Sequence, residues 1–443
     1  MTGVKETPNR YLSSFERFEK DLAGDGQSWL HEIRKAAIQC FAELGFPSTR
    51  IEDWKYTNVA PIAKIDFEPA QREPGRVSGA DIARSPFVGP DSIRLVFVDG
   101  RFSEELSSLE ALPQGTAVGS LTQELENGNA TLQAHLSRYA DYNEHAFTAL
   151  NTAFIEDGAF IEIQKGVVVE KPIHLLFVST TGGEARVSHP RNLIVAGRES
   201  QAIIIEDYMG LGEAVYFTNA VTEIVAGESA IIEHYKVQHE SDEAFHIATL
   251  QVHQERSSNF VSHSISFGGA LVRNDFNSVL DGEGAECTLN GLYFSDGRQH
   301  VDNHTLIDHA KPHCTSRELY KGILDGKSEA VFNGAVIVRK DAQKSDARQS
   351  NKNLLLSKDA TINTKPQLEI FADDVKCTHG ATIGQIDHEA IFYLRSRGIA
   401  AETAHLMLTA AFAQDILNRM KAGTIRAQIE EALSARLRFK EDL

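Results

Sequence analysis

From about residue 158 to about 385 the chain repeats one local pattern: a turn carrying Gly, Asn or Asp, then a short alternation of apolar and polar residues. Period-two alternation belongs to β-strands, whose successive side chains point to opposite faces. The units GRESQAIIIEDY from Gly197 and GESAIIEHYKV from Gly227 stand about 30 residues apart; GEGAECTLNGLYF from Gly282 and GKSEAVFNGAVIV from Gly326 follow at a drifting interval. Helical periodicity is nearly absent from the whole stretch. Strands that reiterate without intervening helices suit a β-solenoid, in which each coil buries its apolar face only by stacking on its neighbours. A β-sandwich is the competing arrangement.

Outside this stretch the period is helical. Tyr11, Phe15, Phe18 and Leu22 recur at helical spacing, as do Trp29, Ile33, Ala37, Cys40 and Leu44; Gly24 and Gly26 separate the two runs, and Gly45 with Pro47 ends the second. Residues 70–94, rich in Gly, Pro and Ser without a sustained period, read as a linker or irregular surface. Beyond Gly384, Asp387 is placed to cap a helix carrying Ile391 and Leu394, closed by Gly398. Ala404, Leu408, Phe412 and Ile416 mark a second helix, and Ile425, Ile429, Leu433 and Leu437 a third. The chain thus divides into a helical and mixed N-terminal region over 1–150, a β-solenoid core over 151–385 and a C-terminal helical region over 386–443.

Composition narrows the function classes. Sixty-two acidic residues against 44 Lys and Arg leave a net charge of −18, which repels phosphate backbones and anionic headgroups, so nucleic-acid and membrane roles are not expected. No run of about 18 apolar residues occurs, and the first residues show neither an apolar signal core nor an amphipathic presequence. Cys40, Cys287, Cys314 and Cys377 are scattered without a C-x-x-C pair, which fits a reducing cytoplasm better than a disulfide framework.

Two constellations carry candidate chemistry. Cys377 and His379 stand at i and i+2 of a strand-like stretch, on one face about 7 Å apart, so both could touch one metal. Thiolate and imidazole suit iron, but a cluster usually needs four ligands, so a second chain would supply the rest. A buried cysteine beside a hydrogen-bonded histidine is the plainer alternative; a Cys/His nucleophilic dyad, with only Asp373 and Asp374 near to orient it, is a weaker one. Between residues 300 and 314 stand His300, His304, His309, His313 and Cys314. In β-geometry His300 and His304 share one face, while His309 and His313 have the other parity, so a single site needs a turn between them; a structural role for the cluster weighs against metal handling. Gly322 to Ser328 imitates a phosphate loop but has three residues between its glycines where four are needed, and it leads into a strand. Glu52 to Thr57, EDWKYT, reads as core packing or an interdomain contact. Asp207, Asp275 and Asp281 admit the acid/base pairs of a β-helical carbohydrate-active enzyme, if they converge.

Asp374 to Gln385 (DVKCTHGATIGQ) followed by Phe392 to Ile399 (FYLRSRGI) resembles the SufB/SufD family of iron–sulfur cluster assembly proteins. The likeness extends through Asp302 to Tyr320, Leu150 to Phe154 and Lys171 to Leu175, back to EDWKYT. This last segment, and the lack of an N-terminal C-x-x-C, are more similar to the SufD branch. The resemblance implies a right-handed parallel β-helix flanked by helical domains and a scaffold, not an enzyme. It also implies that His379, and next Cys377, face a SufB-type paralogue joined through the β-helix ends, where a nascent cluster or iron is shared and no intrinsic cofactor is needed. Arg395, Ser396, Arg397 and Gly398, on the C-terminal helices, would dock a SufC-type ABC ATPase. A homodimer of the isolated chain is a further expectation. The rival readings are the carbohydrate-active enzyme and a purely structural solenoid adaptor.

Overall fold

A computed structural model describes residues 3–22, 28–69, 77–85, 87, 92–109, 112–180 and 185–438. Gly24, Gly26 and much of the 70–94 segment lie outside them. The N-terminal part comprises α1 (Gly3–Asp21), α2 (Ser28–Leu44), α3 (Ala60–Lys64), β1 (Glu68–Pro69), α4 (Gly79–Ile82), β2 (Ile93–Val98), β3 (Arg101–Phe102), β4 (Thr116–Ser120), α5 (Leu121–Glu126), α6 (Ala130–His135) and α7 (Ala146–Ala153). The solenoid then winds through β5 (Ala159–Ile163), β6 (Ile173–Ser179), β7 (Arg186–Ser188), β8 (Arg191–Ala196), β9 (Gln201–Gly210), β10 (Tyr216–Ala226), β11 (Ile231–His239), β12 (Phe245–Gln254) and β13 (Asn259–Phe267). It continues through β14 (Leu271–Leu280), β15 (Glu286–Ser295), β16 (His300–His309), β17 (Thr315–Leu324), β18 (Glu329–Val338), β19 (Asp346–Leu355), β20 (Thr361–Ile370) and β21 (Lys376–Gly384). Helices α8 (His388–Ser396), α9 (Ala401–Leu417) and α10 (Gly423–Arg438) complete the chain.

Strands alternate between two sheets, ordered β20-β18-β16-β14-β12-β10-β8-β5-β4 and β21-β19-β17-β15-β13-β11-β9-β6-β2-β3. This is the parallel β-solenoid that the turn-and-strand repeats predict. Pairing is parallel except at the starting end, where β4 runs antiparallel to β5 and β3 to β2. One corner of each coil places a residue in the left-handed region: Glu199, Ser229, Ser257, Gly284, His313 and Lys344, about every 30 residues. The N–H of each donates to a carbonyl of the next coil, to Glu228, Arg256, Glu283, Pro312, Gln343 and Asp374 respectively, at 2.7–3.1 Å. Strain at one non-glycine corner is thus offset by a hydrogen bond that also sets the register of the next coil.

Inward-facing residues such as Ile232, Phe260, Cys287 and Phe332 build the main core, with Cys314 among them. In-register rings stack along it: Phe97 on Phe177 at 5.0 Å and Phe177 on Tyr208 at 4.7 Å, each contact contributing about 0.5–1.5 kcal/mol beyond burial. The outer face of the first sheet, through Phe217, Phe245, Ile247 and Leu271, receives Tyr11, Phe15, Ala37 and Phe41 of the N-terminal helices. The outer face of the second, through Leu292, Phe294, Leu319 and Ile323, receives Ile416, Ile425, Ile429 and Leu433 of α9 and α10. The predicted Asp387 cap is present, accepting from the Glu389 N–H at 2.8 Å, and Gly398 leaves α8 at φ 87°. The Leu437 side chain lies outside the described set. Among the described residues no helix is long and apolar enough to cross a membrane.

Candidate functional site

Strand β21 is the last rung of its sheet and pairs only with β19, in the register Ala347 to Cys377 and Gln349 to His379. Following that register back, Cys377 tops the column Phe260, Cys287, Ser316, Ala347, and His379 tops the column Ser262, Leu289, Glu318, Gln349. Both positions therefore face the lumen. Cys377 is half-buried and packs against the main core; burial, reinforced by the Asp346 charge, pushes its thiol up from the ordinary value. His379 is exposed because no further coil lies over it. Asp374, a neighbour that might have oriented the imidazole, is engaged with Lys344 instead. Among the described residues no three His, Cys, Asp or Glu side chains gather into a metal-binding group.

Large apolar side chains are exposed at and just beyond this open end, among polar ones such as Glu369, Lys376 and Thr378. Phe371 at the end of β20 is 64% exposed and Phe392 on α8 is 75% exposed, with Ile370, Ile383 and Tyr393 also uncovered. Pro366 stands in the edge strand β20, a position a central strand would not tolerate because proline has no ladder N–H. Arg395 lies in the last turn of α8. The Ser396 hydroxyl donates to the Tyr393 carbonyl at 2.7 Å, and the Arg397 guanidinium lies 5.2 Å from the Tyr393 ring centre. The segment 395–398 is exposed throughout.

The residues from His300 to Cys314 are not brought to one point. His300 and His304 face outward against the EDWKYT segment: Thr57 Oγ1 lies 2.9 Å from His300 Nε2 and donates to Asp302 Oδ2 at 2.5 Å, while His304 Nε2 is 3.0 Å from Asp302 Oδ1. Burial alone would raise the Asp302 carboxyl, but His304, Arg273 and Thr57 together hold it well below the usual carboxylate range. Arg273 also carries the Trp54 ring, 3.7 Å from its guanidinium. EDWKYT is thus a strap on the solenoid wall, anchored by a partly buried Trp54 and a buried Thr57 with the rest exposed, and Glu52 reaches Lys365 at 2.7 Å. His309 faces inward, its Nε2 2.8 Å from Ser316 Oγ. His313 is a corner residue at φ 60°, and Cys314 Sγ lies buried 3.3 Å from the Gly282 carbonyl.

The remaining motifs resolve simply. Gly326, at φ 62°, forms a turn between β17 and β18 where an added Cβ would meet Gly297 N at 2.7 Å, so the loop packs on the coil before it. Asp207 is buried against His239 at 2.7 Å on one sheet, Asp275 pairs with Arg273 on the other, and Asp281 reaches Lys311 from a turn. These carboxylates do not converge.

Polar groups in the lumen escape a strand-by-strand reading. Glu206 touches Tyr208 and His234; Lys236 touches His246 and Asn274; Glu318 accepts from Gln349 Nε2 at 2.7 Å. Their signal is recurrence across coils: Glu318, Gln349 and His379 follow each other at the repeat interval. Burial pushes the Glu318 carboxyl up to about 7, against the hydrogen bond from Gln349 that lowers it. Since the folded value exceeds the unfolded one, this group's contribution is complete below pH about 4.5 and is lost as pH rises through 7. Glu318→Gln, which mimics the neutral acid, is therefore expected to gain about 3 kcal/mol over the parent at pH 9 and little at pH 4.5. Urea unfolding at both pH values checks this; an identical difference at the two would refute the assignment.

The family model described as SUF system FeS cluster assembly, SufBD core domain, matches residues 177–412, and the SufBD N-terminal region matches residues 5–175. A SufBD-family iron–sulfur cluster assembly protein of Synechocystis is 35% identical over 425 residues, covering 94% of this chain and 93% of the relative. Escherichia coli SufD is 32% identical over 402 residues, covering 90% and 91%. Bacillus subtilis SufD is 25% identical over 441 residues, covering 97% of each. With family models and full-length relatives agreeing along the solenoid and its flanks, this chain belongs to the SufBD family, as a SufD-type iron–sulfur cluster assembly protein.

Proposed function

We propose that the chain is a non-catalytic scaffold subunit whose open solenoid end pairs with a SufB-type paralogue, and that a nascent cluster or iron, as cargo, is held between His379 and thiolates of that partner. The observation that carries this reading is the position of His379: lumen-facing, exposed, and on the last strand of its sheet among the described residues, near exposed Phe371 and Ile383. Parallel strand edges left unpaired are templates for another chain. Cys377, with its protonated thiol, is the second group within reach, available as a ligand once a metal displaces its proton.

The C-terminal helices are the docking surface for a SufC-type ABC ATPase in this proposal, with Arg395 to Gly398 exposed beside it. ATP-driven closure of two such subunits would pull on the helices. A route inward exists: Lys321 on β17 binds Asp415 of α9 at 3.0 Å and the Phe412 carbonyl at 2.9 Å, three residues from Glu318. A stacked solenoid moves as a stiff body, so displacement at the helices reaches the open end.

The test is co-purification with SufB-type and SufC-type partners and anaerobic cluster reconstitution of parent and His379→Ala complexes. Normal assembly with a loss of iron–sulfur absorbance of about 10-fold or more is expected. Equal cluster content would remove His379 from the chemistry and leave a positioning scaffold. Failure of the parent to bind either partner would defeat the proposal entirely.

A further inference from the structure

Directly beneath His379 is a buried amide with one face in use and one face free. Glu318, Gln349 and His379 occupy paired lumen positions on the adjacent strands β17, β19 and β21, whose spacing is about 4.8 Å. Gln349 is 4% exposed. Its Nε2 donates to Glu318 Oε2 at 2.7 Å, a bond that the carboxyl accepts whether ionised or neutral, and the N–H end of the amide thus faces downward. The other end, Oε1, is buried and has no hydrogen-bond partner, and His379 on the adjacent rung is exposed. Across the lumen, Gly334 on β18 makes space for the amide: a Cβ there would come within 2.3 Å of Gln349 Nε2. The side chain is confined, and the rung above it is β21.

We infer that Gln349 is a positioning residue for His379, accepting an imidazole N–H on Oε1 while Glu318 holds the amide from below, so that the opposite ring nitrogen is presented to cargo at the solenoid mouth. The inference rests on the proposed role of His379 and deepens it. An imidazole with one nitrogen bound to an oxygen acceptor has its tautomer and ring plane set, which raises the basicity of the free nitrogen. An unpaired buried acceptor is costly; a bond from His379 would satisfy it. Cys377 lacks such support, because the residue beneath it is Ala347.

The experiment measures the neutral tautomer ratio of His379 in the full chain by long-range nitrogen–proton NMR with labelled histidine, the signal assigned by its loss in His379→Ala. Gln349→Met keeps the shape and removes the acceptor, and is expected to shift the ratio toward an even mixture by about 5-fold. Gln349→Glu, sharing one proton with Glu318, keeps an oxygen acceptor toward the ring and should retain the parent ratio. Gln349→Asn, which falls short of the rung above, should behave as the methionine variant and serves if that variant does not fold. An unchanged ratio in Gln349→Met or Gln349→Asn overturns the inference. Reconstitution with the partners supplies the second readout: cluster content should fall in Gln349→Met and recover in Gln349→Glu. If His379→Ala alone leaves cluster content intact, the ligand reading has failed, and the tautomer ratio still decides whether Gln349 positions the ring.

Discussion

Arg191→Met is expected to cost the fold about 3–5 kcal/mol, the usual consequence of removing one partner from a buried ion pair. Arg191 and Glu223 are both fully buried, 2.7 Å apart, on neighbouring strands β8 and β10. The guanidinium also donates to Asn151 Oδ1, Thr152 Oγ1 and Ser137 Oγ. The Glu223 carboxylate accepts backbone N–H groups from Ser137, Tyr139 and Ala140 at 2.8–2.9 Å. Asn151 in turn donates to the carbonyls of Pro190 and Asn219. The pair therefore fastens α7 and the loop before it to the outer wall of the first coils. In Arg191→Met, Glu223 keeps its three amides but loses its counter-charge in a fully buried site. The paired change Arg191→Met with Glu223→Gln should recover a substantial part of the loss, because the stranded charge is what costs most. Thermal and urea unfolding of the single and double variants test this; a single variant within 1 kcal/mol of the parent would show that the pair is dispensable.

In mild acid two buried histidines should weaken the fold, in the same window where protonation of Glu318 acts in the opposite sense. His263 is buried, stacked on Tyr235 at 5.0 Å, with both ring nitrogens unpartnered; burial, then the charges of His234, Arg419 and Lys421, push it down to about 4. His309, buried in the lumen with Nδ1 unpartnered, is also pushed down to about 4 by burial, although Asp308 opposes the shift. Both folded values lie below the unfolded value of about 6.5, so between these limits the unfolded chain binds more protons and stability falls as pH falls. At pH 5 each histidine should have cost about 2 kcal/mol relative to pH 7.5, about 4 kcal/mol for the two. His263→Phe preserves the stacking on Tyr235 and forgoes no hydrogen bond. Combined with His309→Gln it should raise stability at pH 5, measured against pH 7.5, by that amount over the parent. Parallel urea curves for parent and double variant would eliminate both histidines as the cause.

The solenoid was legible because turns and alternation recur within each coil, where strand physics is local. Strands β2 and β4 already pair into the two sheets, yet at five or six residues between irregular segments they carry too little period to be read. The histidines from His300 to His313 look clustered in sequence because a strand and its following corner are continuous there. Alternation sends His300 and His304 outward and His309 inward, and His313 is set apart by the left-handed corner. The lumenal groups were hidden for the opposite reason. Glu318, Gln349 and His379 are neighbours only across coils, and a repeat of drifting length obscures which positions align. Pro366 and the return of helical period after Gly384 mark where the strands end, but the exposed rim around His379 emerges only when the stack is seen to stop.

The two ends of that stack are unlike. At its start, β4 and the two-residue β3 turn back antiparallel, and α5 follows β4 directly; at its finish, β20 and β21 run ten and nine residues with no strand beyond them. A short or reversed edge does not propagate a ladder, whereas a long parallel one does. With a single long parallel edge, head-to-head association through that edge would close after one partner and would not propagate. A solenoid with two such edges would seed fibres at cellular concentrations. One blunt end and one open end confine its stickiness to a pairwise event.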